Sequence, residues 1–253
     1  MRGALQLLAA IGDVDLVCLP FAGGSADAFR PCARGLAGTA RVWGVDLPGR
    51  MRRLHEAPVA NATDAVAEIL AALRGIDGDR PLALYGHSLG AHLAMALALA
   101  LEAEGRTPTA VFLGASSPEC AVRDAAALDD AAVLGLLRGW GATPEEVFQD
   151  RELAALVVEV VRADLLLMDD LQKTLAPVDA PVVAFAGTRD AEVPLAAAAR
   201  WRRFARDFRG VRTIDAGHLF ILDHAVRVAG MIAAELCAAL PAGVGGGSSD
   251  RGQ

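Results

Sequence analysis

An α/β fold, with a mostly parallel sheet covered by helices on both faces, is predicted by three features of this 253-residue chain. Short β-type runs alternate with helical runs along most of its length, the pattern of strands joined by crossover helices. Hydrophobic residues make up 54%, enough to bury a sizeable core in a single domain and too many for a disordered chain. One of the β-type runs ends in Gly86-x-Ser88-x-Gly90 and passes at once into a helical run.

The elements follow in order. Strands are expected near 15–19, 41–46, 81–86, 109–114, 181–186 and 211–214. Helices are expected near 25–36, 62–74, 89–104 and 195–208, with a last one at about 221–240. The run from Ala4 to Ile11 imitates a secretory leader, but it is short, contains Gln6 and leads directly into the first strand, so it is discounted. A single domain is expected over 1–241, followed by a glycine- and serine-rich flexible tail at 242–253.

From about Arg123 to Thr174 the alternation stops and the chain reads as helical throughout. Thr143-Pro-Glu-Glu146 reads as a capping box with proline at the first helical position. Asp150 then opens a long helix with Leu153, Leu156, Val157, Val160 and Val161 on one face. An insertion at this point lies over the carboxyl ends of the strands, so it is read as a helical lid. Its apolar face would pack partly on the core and partly line a channel for an apolar chain.

Leu82-Ala-Leu-Tyr-Gly-His-Ser-Leu-Gly90 has the strand, turn and helix of the nucleophile elbow of an α/β-hydrolase. A serine hydroxyl is a weak nucleophile, and the sharp turn lifts Oγ of Ser88 clear of the backbone. Only residues lacking a large side chain fit on either side of so tight a turn. The remaining catalytic groups should follow in the order acid, then histidine, each on a loop after a strand. Pro181–Gly187 ends in Thr188-Arg189-Asp190, and Val211–Ile214 ends in Asp215-Ala-Gly-His218. Ser88, Asp190 and His218 are therefore the expected catalytic residues, with Asp190 fixing the tautomer of His218 and His218 moving the proton of Ser88. Glu119, after the preceding strand, is the competing acid. His87, His92, His55 and His224 are read as structural or solvated.

An oxyanion hole needs two backbone donors. The N–H of Leu89 follows the nucleophile, and Ala22, in Phe21-Ala-Gly-Gly-Ser25 after the first strand, is the expected second. These glycines do not have the spacing of a nucleotide-binding loop.

The net charge of −7 argues against nucleic acid as a partner. No apolar stretch reaches the ~20 residues of a membrane span. The scattered cysteines Cys18, Cys32, Cys120 and Cys237 show no paired metal spacing. Cys18 and Cys237 are read as small core residues in a reducing cytoplasm. Arginine clusters occur at Arg50, Arg52 and Arg53, and from Arg200 to Arg212. They read either as a solvated face or as a docking surface for an acidic or phosphate-bearing partner, with Arg52, Arg53, Arg202 and Arg203 as the candidates.

The chain resembles the type II thioesterases, discrete editing enzymes that accompany polyketide synthases and nonribosomal peptide synthetases. The resemblance is carried by Leu19-Pro-Phe-Ala-Gly-Gly-Ser25, Asp46-Leu-Pro-Gly-Arg50, Gly86-His-Ser-Leu-Gly-Ala91, Thr143-Pro-Glu-Glu-Val147, Arg162-Ala-Asp164, Gly187-Thr-Arg-Asp190 and Gly217-His-Leu-Phe220. It implies Ser88, Asp190 and His218 as the triad, Ala22 and Leu89 as oxyanion donors, an acyl thioester on the phosphopantetheine arm of an acyl or peptidyl carrier protein as substrate, and no metal or other cofactor. Leucine follows Ser88 where methionine is common, and Val158-Glu-Val-Val-Arg162 lacks the proline often found near Glu159. A carboxylesterase or lipase-like hydrolase of the same fold, or a catalytically silent binding module, are the alternatives.

Overall fold

The computed structural model describes residues 3–76, 80–119 and 125–239. The expected tail at 242–253 and Cys120 lie outside these residues. Among the described residues seven strands form one sheet in the order β1-β3-β2-β4-β5-β6-β7. They are β1 (Leu5–Ala9), β2 (Val14–Leu19), β3 (Ala40–Val45), β4 (Leu82–His87), β5 (Ala110–Gly114), β6 (Val182–Gly187) and β7 (Phe208–Ile214). Neighbours from β3 to β7 run parallel, and β1 lies antiparallel to β3 at the edge.

The helices are α1 (Arg30–Gly35), α2 (Ala62–Leu73), α3 (Leu89–Ala103), α4 (Asp130–Trp140), α5 (Glu145–Gln149), α6 (Arg151–Lys173), α7 (Leu195–Ala198), α8 (Phe220–Asp223) and α9 (Ala225–Ala239). Successive side chains of a strand point to opposite faces, and the two cores follow that period. Val17, Leu19, Leu82 and Leu84 pack with residues of α2, α3 and α6 on one face. Leu16, Cys18, Ala83 and Tyr85 pack with residues of α1 and α9 on the other. A sheet buried on both faces explains why β2 and β4 are apolar at nearly every position rather than alternating.

Several expectations need correction. The run discounted as a leader-like segment is β1, which was missed because its half-buried residues carry no clear alternation. The helix expected over 195–208 is only α7 followed by a 3-10 turn at Ala199–Phe204. Beyond it the backbone is drawn into pairing instead: Val178 N–H donates to Phe204 O, and Arg206 N–H donates to Val178 O. The first expected helix begins as a 3-10 turn at Ala26–Phe29, and the last is broken at His224 between α8 and α9. Cys237 is exposed, not a core residue, because it falls on the outer face of α9.

Between β5 and β6 the described chain is helical. Asp150 caps α6, its Oδ1 accepting from the N–H groups of Glu152 and Leu153. Pro144 sits at the cap position of α5, one residue before the first helical turn, and Thr143 makes no capping bond. The apolar face expected on α6 divides: Val161 is buried, Val157 and Val160 are half-buried, and Leu153 and Leu156 are exposed. Arg162 ties α6 to α4 through Asp130 and the carbonyl of Leu128.

Candidate active site

Ser88 joins β4 to α3 with φ 54° and ψ −114°, a left-handed conformation that a serine adopts only under strong constraint. The constraint is visible in the glycines. A Cβ on Gly86 would lie 1.9 Å from the carbonyl oxygen of Gly90, and one on Gly90 would lie 2.1 Å from that of Leu19. The Ser88 N–H donates to Gly114 O at 2.8 Å, anchoring the turn to β5.

His218 and Asp190 arrive on loops after β7 and β6. The two loops are held side by side: Thr188 N–H donates to Ile214 O at 2.8 Å and Arg189 N–H to Ala216 O at 2.9 Å. His218 Nε2 lies 3.1 Å from Ser88 Oγ, and its Nδ1 lies 2.9 Å from Asp190 Oδ2. Asp190 Oδ1 accepts from the N–H groups of Glu192 and Val193, which fixes the carboxylate and leaves Oδ2 to the imidazole. The three expected residues therefore form one hydrogen-bonded line.

Burial alone would lower the pKa of His218. The hydrogen bond and charge of Asp190, helped by Glu192, outweigh it and hold the imidazole above its ordinary value. Burial likewise works to raise Asp190, yet the hydrogen bond and charge of His218 and the two loop N–H groups keep it below the usual carboxylate range. Glu119, the competing acid, is exposed and ion-paired with Arg203 at 2.8 Å and Arg200 at 3.5 Å. The carboxylate on Nδ1 of His218 belongs to Asp190.

Ala22 lines the same cavity as Ser88, and Leu89 is the buried first residue of α3. The cavity, about 50 Å³, is bounded by Phe21, Ala115, Ser116, Trp140 and Met168, with His92 in its wall. Among the described residues between β5 and β6, Trp140 of α4 and Met168 of α6 reach it. The face expected to line an apolar channel instead lines a second groove, where Leu156, Val157 and Val160 oppose Met51, Leu54 and Pro58. Trp140 and Met168 were not singled out from the sequence, since only the crossing of the helices brings them together.

His87 and His92 are both buried. Burial, and for His87 the nearby charge of His218, pushes them down to about 3 and about 4. His92 stands one turn beyond Ser88, edge-on to Trp201 and close to the backbone of Ser88, Ser117 and Pro118.

The arginine candidates separate. Arg53 is 4% exposed and is committed to Glu56, Glu68 and the carbonyl of Asp46. Its burial removes it from any docking surface and corrects the expectation. Arg52 is partly exposed and paired with Asp46 at 2.9 Å, while Arg202 and Arg203 are exposed. Among the described residues no helix is long and apolar enough to cross a membrane.

A family model described as the thioesterase domain matches residues 14–236. Thioesterase PikA5 of Streptomyces venezuelae is 35% identical over 214 residues, covering 83% of this chain and 76% of that protein. Gramicidin S biosynthesis protein GrsT of Aneurinibacillus migulanus is 31% identical over 216 residues, covering 82% and 83%. Among solved structures, YbtT, described as a type II thioesterase from the yersiniabactin NRPS/PKS biosynthetic pathway, aligns with a TM-score of 0.86. Its identity is 26%, over 94% of this chain and 100% of that one. The family match runs from β2 into α9 and takes in Ser88, Asp190 and His218, and the chain belongs to the thioesterase family, hydrolases of thioester bonds.

Proposed function

We propose that this thioesterase clears acyl groups from the phosphopantetheine arm of carrier proteins serving a polyketide or nonribosomal peptide synthase. The observation that carries the reading is the line Ser88–His218–Asp190, set in the wall of a cavity closed on one side by the helices between β5 and β6. The names of the relatives support the class of partner, and a cytoplasmic setting is part of the reading.

In this mechanism His218 Nε2 takes the proton of Ser88 Oγ as the oxygen attacks the thioester carbonyl. The tetrahedral oxyanion rests on the N–H groups of Ala22 and Leu89. His218, now protonated, is stabilised by Asp190. The carbon–sulfur bond breaks, and the thiolate, whose thiol has a pKa of ~8.5, departs readily and takes the proton from His218. Water then enters, gives a proton to the neutral His218 as it attacks the acyl-Ser88 ester, and that proton returns to Ser88 Oγ as the ester bond breaks and the carboxylic acid leaves. Arg52, Arg202 and Arg203 remain the candidates for docking an acidic carrier.

A rate comparison tests the reading, with the Ser88→Ala protein as control. One short acyl group is offered as a carrier-protein thioester, a free pantetheine thioester and a simple oxyester. Fastest Ser88-dependent release from the carrier is the expected result. Equal or faster oxyester cleavage would make the protein a general esterase, and no Ser88-dependent release would leave a binding role.

A further inference from the structure

Phe21-Ala-Gly-Gly24 forms a tight turn closed by a hydrogen bond from Gly24 N–H to Phe21 O at 2.8 Å. Gly23 has φ +74°, the value that the third residue of a type II turn requires and that glycine adopts without cost. In a trans peptide the N–H points opposite to the C=O. Drawing the Phe21 carbonyl into the turn therefore sends the Ala22 N–H outward, on the residue that lines the cavity of Ser88. Types I and II differ by reversal of the central peptide, here Ala22–Gly23. The turn is also held from outside. The Gly23 N–H donates to Oδ2 of Asp164, at 2.7 Å, and Asp164 belongs to α6.

Asp164 is itself fixed. It is fully buried, and Arg50 forks onto it, Nη1 to Oδ2 at 2.8 Å and Nη2 to Oδ1 at 2.7 Å. The same Nη1 reaches Gly24 O at 3.2 Å, so the guanidinium holds the turn and the carboxylate together. Val161 of α6 packs against Gly23, its Cγ2 only 3.1 Å from where a Cβ would stand.

We infer that Asp164 is a positioning residue for the oxyanion hole, with Arg50 holding it, so that helix α6 anchors the Phe21–Gly24 turn that presents the Ala22 N–H. This rests on the reading of Ala22 as an oxyanion donor. The helix over the site is then part of the catalytic frame, and a displacement of α6 from the β2 loop releases the turn as it opens the cavity.

The test uses the full-length protein and a trifluoromethyl ketone analogue of a short acyl pantetheine thioester. Ser88 Oγ adds to the ketone carbon, its proton passing to His218, and the resulting oxyanion occupies the hole. The adduct is read by ¹⁹F NMR and by inhibition. A non-hydrolysable amide analogue reports ground-state binding. Asp164→Ala is expected to lower kcat and ketone affinity together, by on the order of 10²-fold, the usual effect of losing one oxyanion donor. Amide affinity should change less than about threefold.

Asp164→Ala leaves the Arg50 charge without its partner and risks unfolding. The double variant Arg50→Met/Asp164→Leu replaces the buried pair with apolar side chains that such sites tolerate, and it should show the same two losses. A folded double variant with wild-type kcat and ketone affinity overturns the inference while leaving the thioesterase reading intact. Equal losses in ketone and amide affinity also overturn it, because they indicate general damage to the site. If the wild-type protein neither hydrolyses the thioester nor forms the ketone adduct, the reading of the site fails and the inference falls with it.

Discussion

His87 Nε2 lies 2.9 Å from the backbone carbonyl of His218. A carbonyl only accepts, so Nε2 carries the proton, and Nδ1 accepts from the Tyr85 hydroxyl at 3.0 Å. The residue beside the nucleophile thus steadies the backbone of the residue that takes its proton, from within the core on the other side of the elbow. His87→Leu should remove the donor and orphan the carbonyl, costing about 1–3 kcal/mol of stability. It should also lower kcat about tenfold with little change in KM. Urea unfolding and steady-state kinetics check both, and an unaltered kcat would confine His87 to packing.

The two acidic candidates differ in what they touch. Asp190→Asn keeps the loop bonds in shape but lets the imidazole take the wrong tautomer, and it should lower kcat by on the order of 10⁴-fold without unfolding the protein. Glu119→Gln gives up only exposed ion pairs and should stay within about threefold of wild type. Kinetics on a pantetheine thioester decide; the reverse pattern would place the acid after β5.

The pH profile follows from the direction in which His218 is shifted. Its protonated ring cannot accept the proton of Ser88, so the rate falls as pH drops through its pKa. Because Asp190 holds that pKa above the ordinary 6.5, the acid limb of kcat/KM should lie above pH 6.5. In Asp190→Asn the limb should move to lower pH, although the rate is small. A wild-type limb below pH 6.5 would show that burial, not Asp190, governs the ring.

Acid should weaken the fold through His87 and His92. Their rings are buried and held well below the ordinary 6.5, at about 3 and about 4, so under acid the unfolded chain gains protons that the folded one refuses. Each ring then removes up to about 1.4 kcal/mol of stability per pH unit as pH falls below that value. His218, shifted upward, has already given its full stabilisation by that point and offsets nothing further. Urea unfolding at pH 6 and pH 5 should show the loss, reduced by about half of this contribution in His92→Leu. An unchanged slope in the variant would mean that folded His92 takes up a proton.

Carrier docking should depend on exposed arginines and not on buried ones. Neutralising Arg52, Arg202 and Arg203 with glutamine is expected to raise KM for the carrier thioester several-fold and flatten its salt dependence, with KM for free pantetheine thioester unchanged. Equal effects on both substrates, or on neither, would return these arginines to a solvated face.

The local pattern of the chain determined the strand-turn-helix at Ser88, the chain order of Asp190 and His218, and the alternation that builds a parallel sheet. Each of these is written within a few neighbouring residues: glycines flanking a serine, β-type runs, an acid or histidine at a strand end. What distance in sequence concealed, the tertiary structure decided. Strand β1 exists because β3 offers it an edge, and the helix expected over 195–208 yields where Ala205 pairs with Val178. Trp140 and Met168 meet in the cavity only because α4 packs on α6 and α6 on α3. Arg53 looked like a surface cation in its run of arginines, yet Glu56, Glu68 and the Asp46 carbonyl draw it inside. Asp164 and Gly23 are 141 positions apart, and the bond between them depends on the whole domain closing. Short-range sterics and periodicity can be read along the chain; partners chosen by packing and by the need to satisfy buried charge cannot.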